Sequence, residues 1–152
     1  MATQDNEKNI REAVATWLRS SSALKALCNN SDQNIVHGDV NAAVPVPGIV
    51  FSLFTNPLVP DNDFMFDSLV IVSAFHAVKA SMLEMLGCIR DLAKQTGNVS
   101  AQFNTNSILT RSIAMVQTDD LGQHTPRTTA TSTLENVFQG EATLRIIWRE
   151  DA

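Results

Sequence analysis

Between Phe64 and Ala93 the spacing of apolar residues changes from two to three and four. That change restricts the chain to folds in which a strand feeds directly into a helix. From Phe64 to Phe75 apolar side chains occupy both alternating sets, with Leu69, Ile71 and Phe75 on one and Val70, Val72 and Ala74 on the other. A strand that is apolar on both faces belongs at the centre of a sheet, or turns its outer face to another subunit. From His76 to Gln95 the pattern is helical: Val78, Met82, Met85, Leu86, Ile89, Leu92 and Ala93 fall in a stripe about 120° wide. Lys94 suits the negative end of the helix dipole, and Gly97 is a natural stop. Opposite the stripe lie Ala80, Leu83 and Gly87, spaced three and four apart. Leu83 is an apolar residue there without a core to enter, and its small neighbours let another backbone approach, so these residues are expected to form a contact surface.

The rest of the chain supplies elements around this unit. A first helix is predicted from about Asp5, as N-cap, to Arg19, with Ile10, Val14, Trp17 and Leu18 on its apolar side. The serines 20–22 break it, and Ser22 can cap a short turn carrying Leu24 and Leu27. After a polar loop, a short strand is expected from Asn34 to Val40, and another from Ile49 to Phe54 behind the extended Pro45-Val46-Pro47-Gly48. Thr55 to Asp63 reads as a turn. Two late strands, Ser107 to Thr118 and Leu134 to Arg149, flank the polar segment Asp119 to Thr133. That segment is expected to project as an arm whose contact residues are His124, Pro126 and Arg127. The order α-β-β-β-α-β-β over residues 1–152 predicts one α+β domain. Its economical form is a twisted mixed or antiparallel sheet of about five strands with two main helices on one face. Trp17, Met82, Met85, Ile89, Leu144, Ile146 and Trp148 are the expected core.

Composition narrows the function. With 44% hydrophobic and 18% charged residues the chain is of ordinary globular type, and its net charge of −5 gives no general attraction to phosphate or anionic lipid. The opening MATQDNEKNIREAV carries no basic stretch followed by an apolar run, so no secretory leader is expected in it. The most apolar stretch, Ser68 to Ala80, is interrupted by Ser73, His76 and Lys79 and is too short to cross a membrane. Cys28 and Cys88 form no CxxC pair and are expected as free, buried thiols.

Chemistry-bearing patterns fail one after another. The glycines are scattered, so there is no phosphate-cradling loop, and no GxSxG elbow is present. His37, His76 and His124 have no partner at ligand spacing, and His37 with Asp39 reads as a polar strand edge. Asp61, Asp63 and Asp67 resemble a calcium loop only until Phe66, which stands where glycine is needed. Glu84 and Asp91 read as solvated charges beside Arg90 and Lys94. With no tyrosine, a stacking platform for single strands is not indicated. No catalytic, cofactor-binding or metal-binding residue is assigned, and the expected protein is not an enzyme.

Several stretches together carry a resemblance. They are Ser22-Ala23-Leu24-Lys25-Ala26-Leu27, the strand Ile35-Val36-His37-Gly38-Asp39-Val40, the proline-led strand Pro47-Gly48-Ile49-Val50-Phe51, the strand-to-helix passage Leu69 to Leu92, and two final strands after a long connection. In this arrangement the chain resembles the tail terminator, or tail completion, proteins that join heads to tails in long-tailed bacteriophages. The resemblance implies an α/β sandwich and a homohexameric ring that caps the tail tube, ends its growth and presents a surface for head attachment. It implies as partners other copies of the chain, the tail tube protein, the head connector or stopper protein and, in a contractile tail, the sheath protein. DNA would only pass through the lumen, no membrane would be involved, and the protein would reside in the virion neck after assembly in the host cytoplasm. The alternatives are another head–tail connector or head-completion subunit and, from a different class, a small ferredoxin-like ligand-binding domain or enzyme.

Overall fold

The computed structural model describes residues 3–38, 46–59, 62–94, 108–124 and 137–150. Helices α1 (Thr3–Arg19) and α2 (Ser22–Leu27) lead through a 3-10 turn, Asp32–Asn34, into strand β1 (Ile35–His37). Strands β2 (Gly48–Val59) and β3 (Asn62–His76) precede α3 (Lys79–Lys94), and β4 (Ile108–His124) and β5 (Val137–Glu150) follow it. The five strands form one sheet in the order β1-β2-β3-β5-β4. β1 and β2 run parallel and the other neighbours antiparallel, so the sheet is mixed and β3, apolar on both faces, lies at its centre. The α+β architecture expected from the sequence is the one observed, with α2 and the 3-10 turn added to the predicted order.

Each helix follows from its sequence. Ile10, Ala13, Val14, Trp17 and Leu18 are spaced to share one side of α1, and all are fully buried. Asp5 lies inside α1 rather than capping it, because the helix already runs from Thr3. α2 is capped by Ser21, one residue before the serine expected, whose Oγ accepts from the Leu24 amide at 3.2 Å. Asn29 and Asn30 take φ of 59° and 53°, and the Asn30 amide returns to the Lys25 carbonyl at 2.8 Å, closing α2. α3 buries Met82, Met85, Leu86, Ile89, Leu92 and Ala93 as its stripe predicts. His76, however, ends β3, and Val78 is 52% exposed instead of joining the core. The two residues between strand and helix make the turn: the His76 Nδ1 accepts the Val78 amide at 3.0 Å, and the Met82 amide bonds the Val78 carbonyl.

Two expected turns are strands. Thr55 to Val59 continue β2, paired with β3 as far as Val59 opposite Asn62. Among the described residues β1 pairs with β2 only as far as Phe51 and β2 has no second neighbour beyond it, and Pro57 sits at a register shift where its missing N–H is harmless. Likewise Asp119 to His124 are not loop but the last third of β4, paired back to Val137. Their turn-like residues build a bulge. Gly122 takes φ +80°, the Asp120 Oδ1 accepts its amide at 2.9 Å, and Leu121 is the extra residue. The remainder of the expected arm, with Pro126 and Arg127, lies outside the described residues, as do Gly97 and the predicted end of the first strand.

The core lies on one side of the sheet. Ile49 and Phe51, then Phe66, Ser68, Val70, Val72 and Ala74, then Ala142, Leu144, Ile146 and Trp148 are the alternate residues that face the helices. They join the apolar stripes of α1 and α3 in a single cluster that contains all seven predicted core residues. Gly140 lets α3 approach β5 closely, since a Cβ there would meet the Met82 sulfur and lie 2.7 Å from Leu86 Cδ1. One buried polar group is matched inside the core: the Trp148 indole Nε1 donates to Ser68 Oγ at 2.9 Å, and that hydroxyl shares a 2.7 Å bond with Thr55 Oγ1.

Candidate interaction surfaces

No described element forms a layer over the other alternate set of strand residues. Strand register sets it out in rows: Phe54, Leu69, Arg145 and Ala114 in one, Ser52, Ile71, Thr143 and Gln117 in the next, Val50, Ser73, Glu141 and Asp119 beyond. Phe54 is 58% exposed and its direct partner Leu69 39% exposed, a pair of apolar side chains standing side by side in solvent. Beside them Arg145 holds Asp67 through a forked contact, Nε at 3.0 Å to both carboxylate oxygens and Nη2 at 2.7 Å to one. This fork raises the Arg145 pKa further above its usual value, through the hydrogen bond first and the opposite charge second. At the other end of the face Asp119 and Glu141 are directly opposed like charges. Such a pair is unfavourable across strands, and the Gln117 amide nitrogen meets the Asp119 carboxylate at 2.6 Å.

A second surface lies on the outer side of the helical layer. Ala80 and Leu83 are exposed, Leu83 by 45%, and Gly87 is half-buried with nothing within 4 Å of where its Cβ would stand. The three predicted residues therefore share one side of α3 and frame a shallow gap beside a projecting leucine. Glu84, Arg90, Asp91 and Lys94 are exposed around them. Of the residues expected on the arm, His124 is the last residue of β4, opposite Val137, away from this group in the sequence of elements. Lys79 at the start of α3 and Asp120 of β4 are joined at 3.5 Å, which ties the helix to the bulged part of that strand.

Burial, reinforced by the neighbouring Cys88, pushes the Cys28 thiol up to about 12. Cys88 is raised as well, by burial first and then by Asp91 and Glu84. Both are free and protonated at neutral pH, which suits neither a nucleophile nor a metal ligand. Burial lowers the His76 pKa against the opposing pull of Glu84, in keeping with an imidazole that accepts a backbone N–H. The His37 ring packs edge-on against Phe51 at 5.2 Å between ring centres. Its suggested companion Asp39 lies outside the described residues. Asp67, the third acid of the calcium-like run, is committed to Arg145. Among the described residues no three His, Cys, Asp or Glu come together to hold a metal ion, and no helix is long and apolar enough to cross a membrane.

The open sheet face escapes a sequence reading because alternation identifies two faces without saying which is covered. The signal was present on β5, where Glu141, Thr143 and Arg145 alternate with Ala142, Leu144 and Ile146, the pattern of a strand with one wet face. No family model matches the chain, and no curated protein matches it.

Proposed function

We propose that this protein is a non-enzymatic structural subunit of the neck of a long-tailed bacteriophage: a tail terminator that forms a homohexameric ring on the tail tube, ends its growth and offers the surface for head attachment. One observation carries the reading. Two unlike surfaces with exposed apolar residues, Phe54 and Leu69 on the sheet and Leu83 on α3, lie on opposite sides of a two-layer domain. A subunit that associates through two different surfaces repeats head to tail, and a closed head-to-tail repeat is a ring. The sequence pattern from Ser22 to Leu92 supports the assignment to the tail terminator group, and the net charge of −5 suits a lumen through which DNA slides without being held.

The test is electron microscopy of tail tubes assembled from the tube protein with and without this chain. Tubes of limited length bearing a terminal ring are expected when it is present, and overlong tubes without caps when it is absent. Tube lengths that do not respond to the protein contradict the proposal. A ring found on the head vertex rather than on the tube would identify a connector or head-completion subunit instead.

A further inference from the structure

We infer that the open face of the sheet is the docking site for the outer side of α3 of a second copy of this chain. The pairing of these two faces stands on the geometry alone, whereas closure of the repeat into a ring rests on the function proposed above. The sheet face projects Phe54 and Leu69, while the helix offers the exposed Leu83 and, one turn on, open space at Gly87, where nothing described comes within 4 Å of a Cβ position. Laying the helix on the sheet brings these apolar groups together, fills that space and buries the exposed phenylalanine.

Charge fixes the direction. Along the open face, Asp119 and Glu141 form an acidic end, while toward the other end Arg145 is paired with Asp67 and Arg149 stands exposed. Along α3, Glu84 comes first, and Arg90 and Lys94 lie at the far end, with Asp91 on the flank that carries Glu84. An α3 laid antiparallel to β5 of the next copy sets Arg90 and Lys94 over the acidic Asp119 and Glu141, and Glu84 toward Arg149 and the exposed side of the Arg145–Asp67 fork. The spacings agree. From Glu84 to Lys94 the helix rises about 15 Å at ~1.5 Å per residue, and from Glu141 to Arg145 the strand covers about 14 Å at ~3.4 Å per residue. The docked helix thereby supplies the cations that the Asp119–Glu141 pair lacks among the described residues, which is complementarity that orients the contact.

Complementation by mixing tests the inference, with sedimentation velocity as the readout and thermal melts to establish that each variant is folded. Leu69→Asp blocks the sheet face and Leu83→Asp blocks the helix. Each alone is expected to sediment as a monomer at concentrations where the wild type associates. An equimolar mixture is expected to give a heterodimer and nothing larger, because one good face survives on each partner. In the full chain, Glu141→Lys or Lys94→Glu is expected to weaken association about tenfold, and the two together to restore it. Self-association by Leu83→Asp alone, a mixture that stays monomeric, or a wild type that is monomeric at every concentration would each overturn the inference. Tube capping by such a monomeric wild type would leave the proposed function standing, and a head-to-tail oligomer that leaves tube lengths unchanged would remove the function while sparing the interface.

Discussion

The two faces of the sheet are made by the same strands, one residue out of step, and they differ in burial and in chemistry. On the covered face Phe66 stacks on Trp148 with ring centres 4.6 Å apart, and the indole N–H is satisfied by a hydroxyl that is itself bonded to Thr55. On the open face Arg145 forks with Asp67, half in solvent, next to Phe54, which no described residue buries. Buried apolar area stabilises a fold by roughly 25 cal/mol per Å², while exposed ion pairs add little because water competes for both partners. The covered face therefore carries the stability, and the open face is the one proposed for recognition.

Substitutions across this divide should separate accordingly. The largest effect is expected for Trp148→Ala, about 3–5 kcal/mol, and for Ile89→Ala, about 2–5 kcal/mol, both by denaturant unfolding. Phe54→Ala on the open face should cost under about 1 kcal/mol. A comparable loss at Phe54 would mean that the open face is part of the core after all.

Glycines sharpen the comparison because they lie on each side of α3. Gly140→Ala forces a methyl group against Met82 and Leu86 and should cost about 1–3 kcal/mol, as overpacked cores do. Gly87→Ala meets nothing and lies inside a helix, so it should add about 0.5–1 kcal/mol of stability. The same methyl group fills the hollow proposed to receive the next copy, so this variant should be more stable and less associated.

Smaller effects come from single polar groups. Asp67→Asn removes half of the exposed fork and should leave the unfolding midpoint unchanged within error. His76 should give a weak pH dependence of known sign. Its folded pKa lies below the unfolded value, so the unfolded chain binds the proton more readily. The contribution of His76 is thus complete above the ordinary histidine value near 6.5 and fades as pH falls through and below it. Unfolding of wild type and His76→Gln from pH 7.5 to 5.5 should show the two curves converging toward low pH.

The sequence disclosed these features unevenly, for physical reasons. The α3 stripe and the central position of β3 were legible because hydrophobic period responds directly to burial. Leu83 was legible for the same reason, as the apolar residue left over on the polar side. Val78 was misplaced because helical phase extends past a helix start, which is set here by a histidine ring accepting a backbone amide. Asp120-Leu121-Gly122 read as loop because bulges and turns require the same residues, and only pairing with β5 tells them apart. Pro57 was misleading in the same way, since it is harmless wherever a strand has an unpaired edge. Phe54 was the residue least visible beforehand, because which of two alternating faces stays open depends on where the helices dock.

Leu69 and Val70 are neighbours on β3 that face opposite ways, and together they test the division of labour most directly. Val70 is fully buried and Leu69 is not. Each is replaced by Asp, and both urea unfolding and sedimentation velocity are recorded. Val70→Asp places an unpaired carboxylate in the core and should lose more than about 4 kcal/mol or fail to fold. Leu69→Asp should unfold within about 0.5 kcal/mol of the wild type yet sediment as a monomer where the wild type associates. Equal destabilisation by the two changes, or wild-type association by Leu69→Asp, would contradict the account.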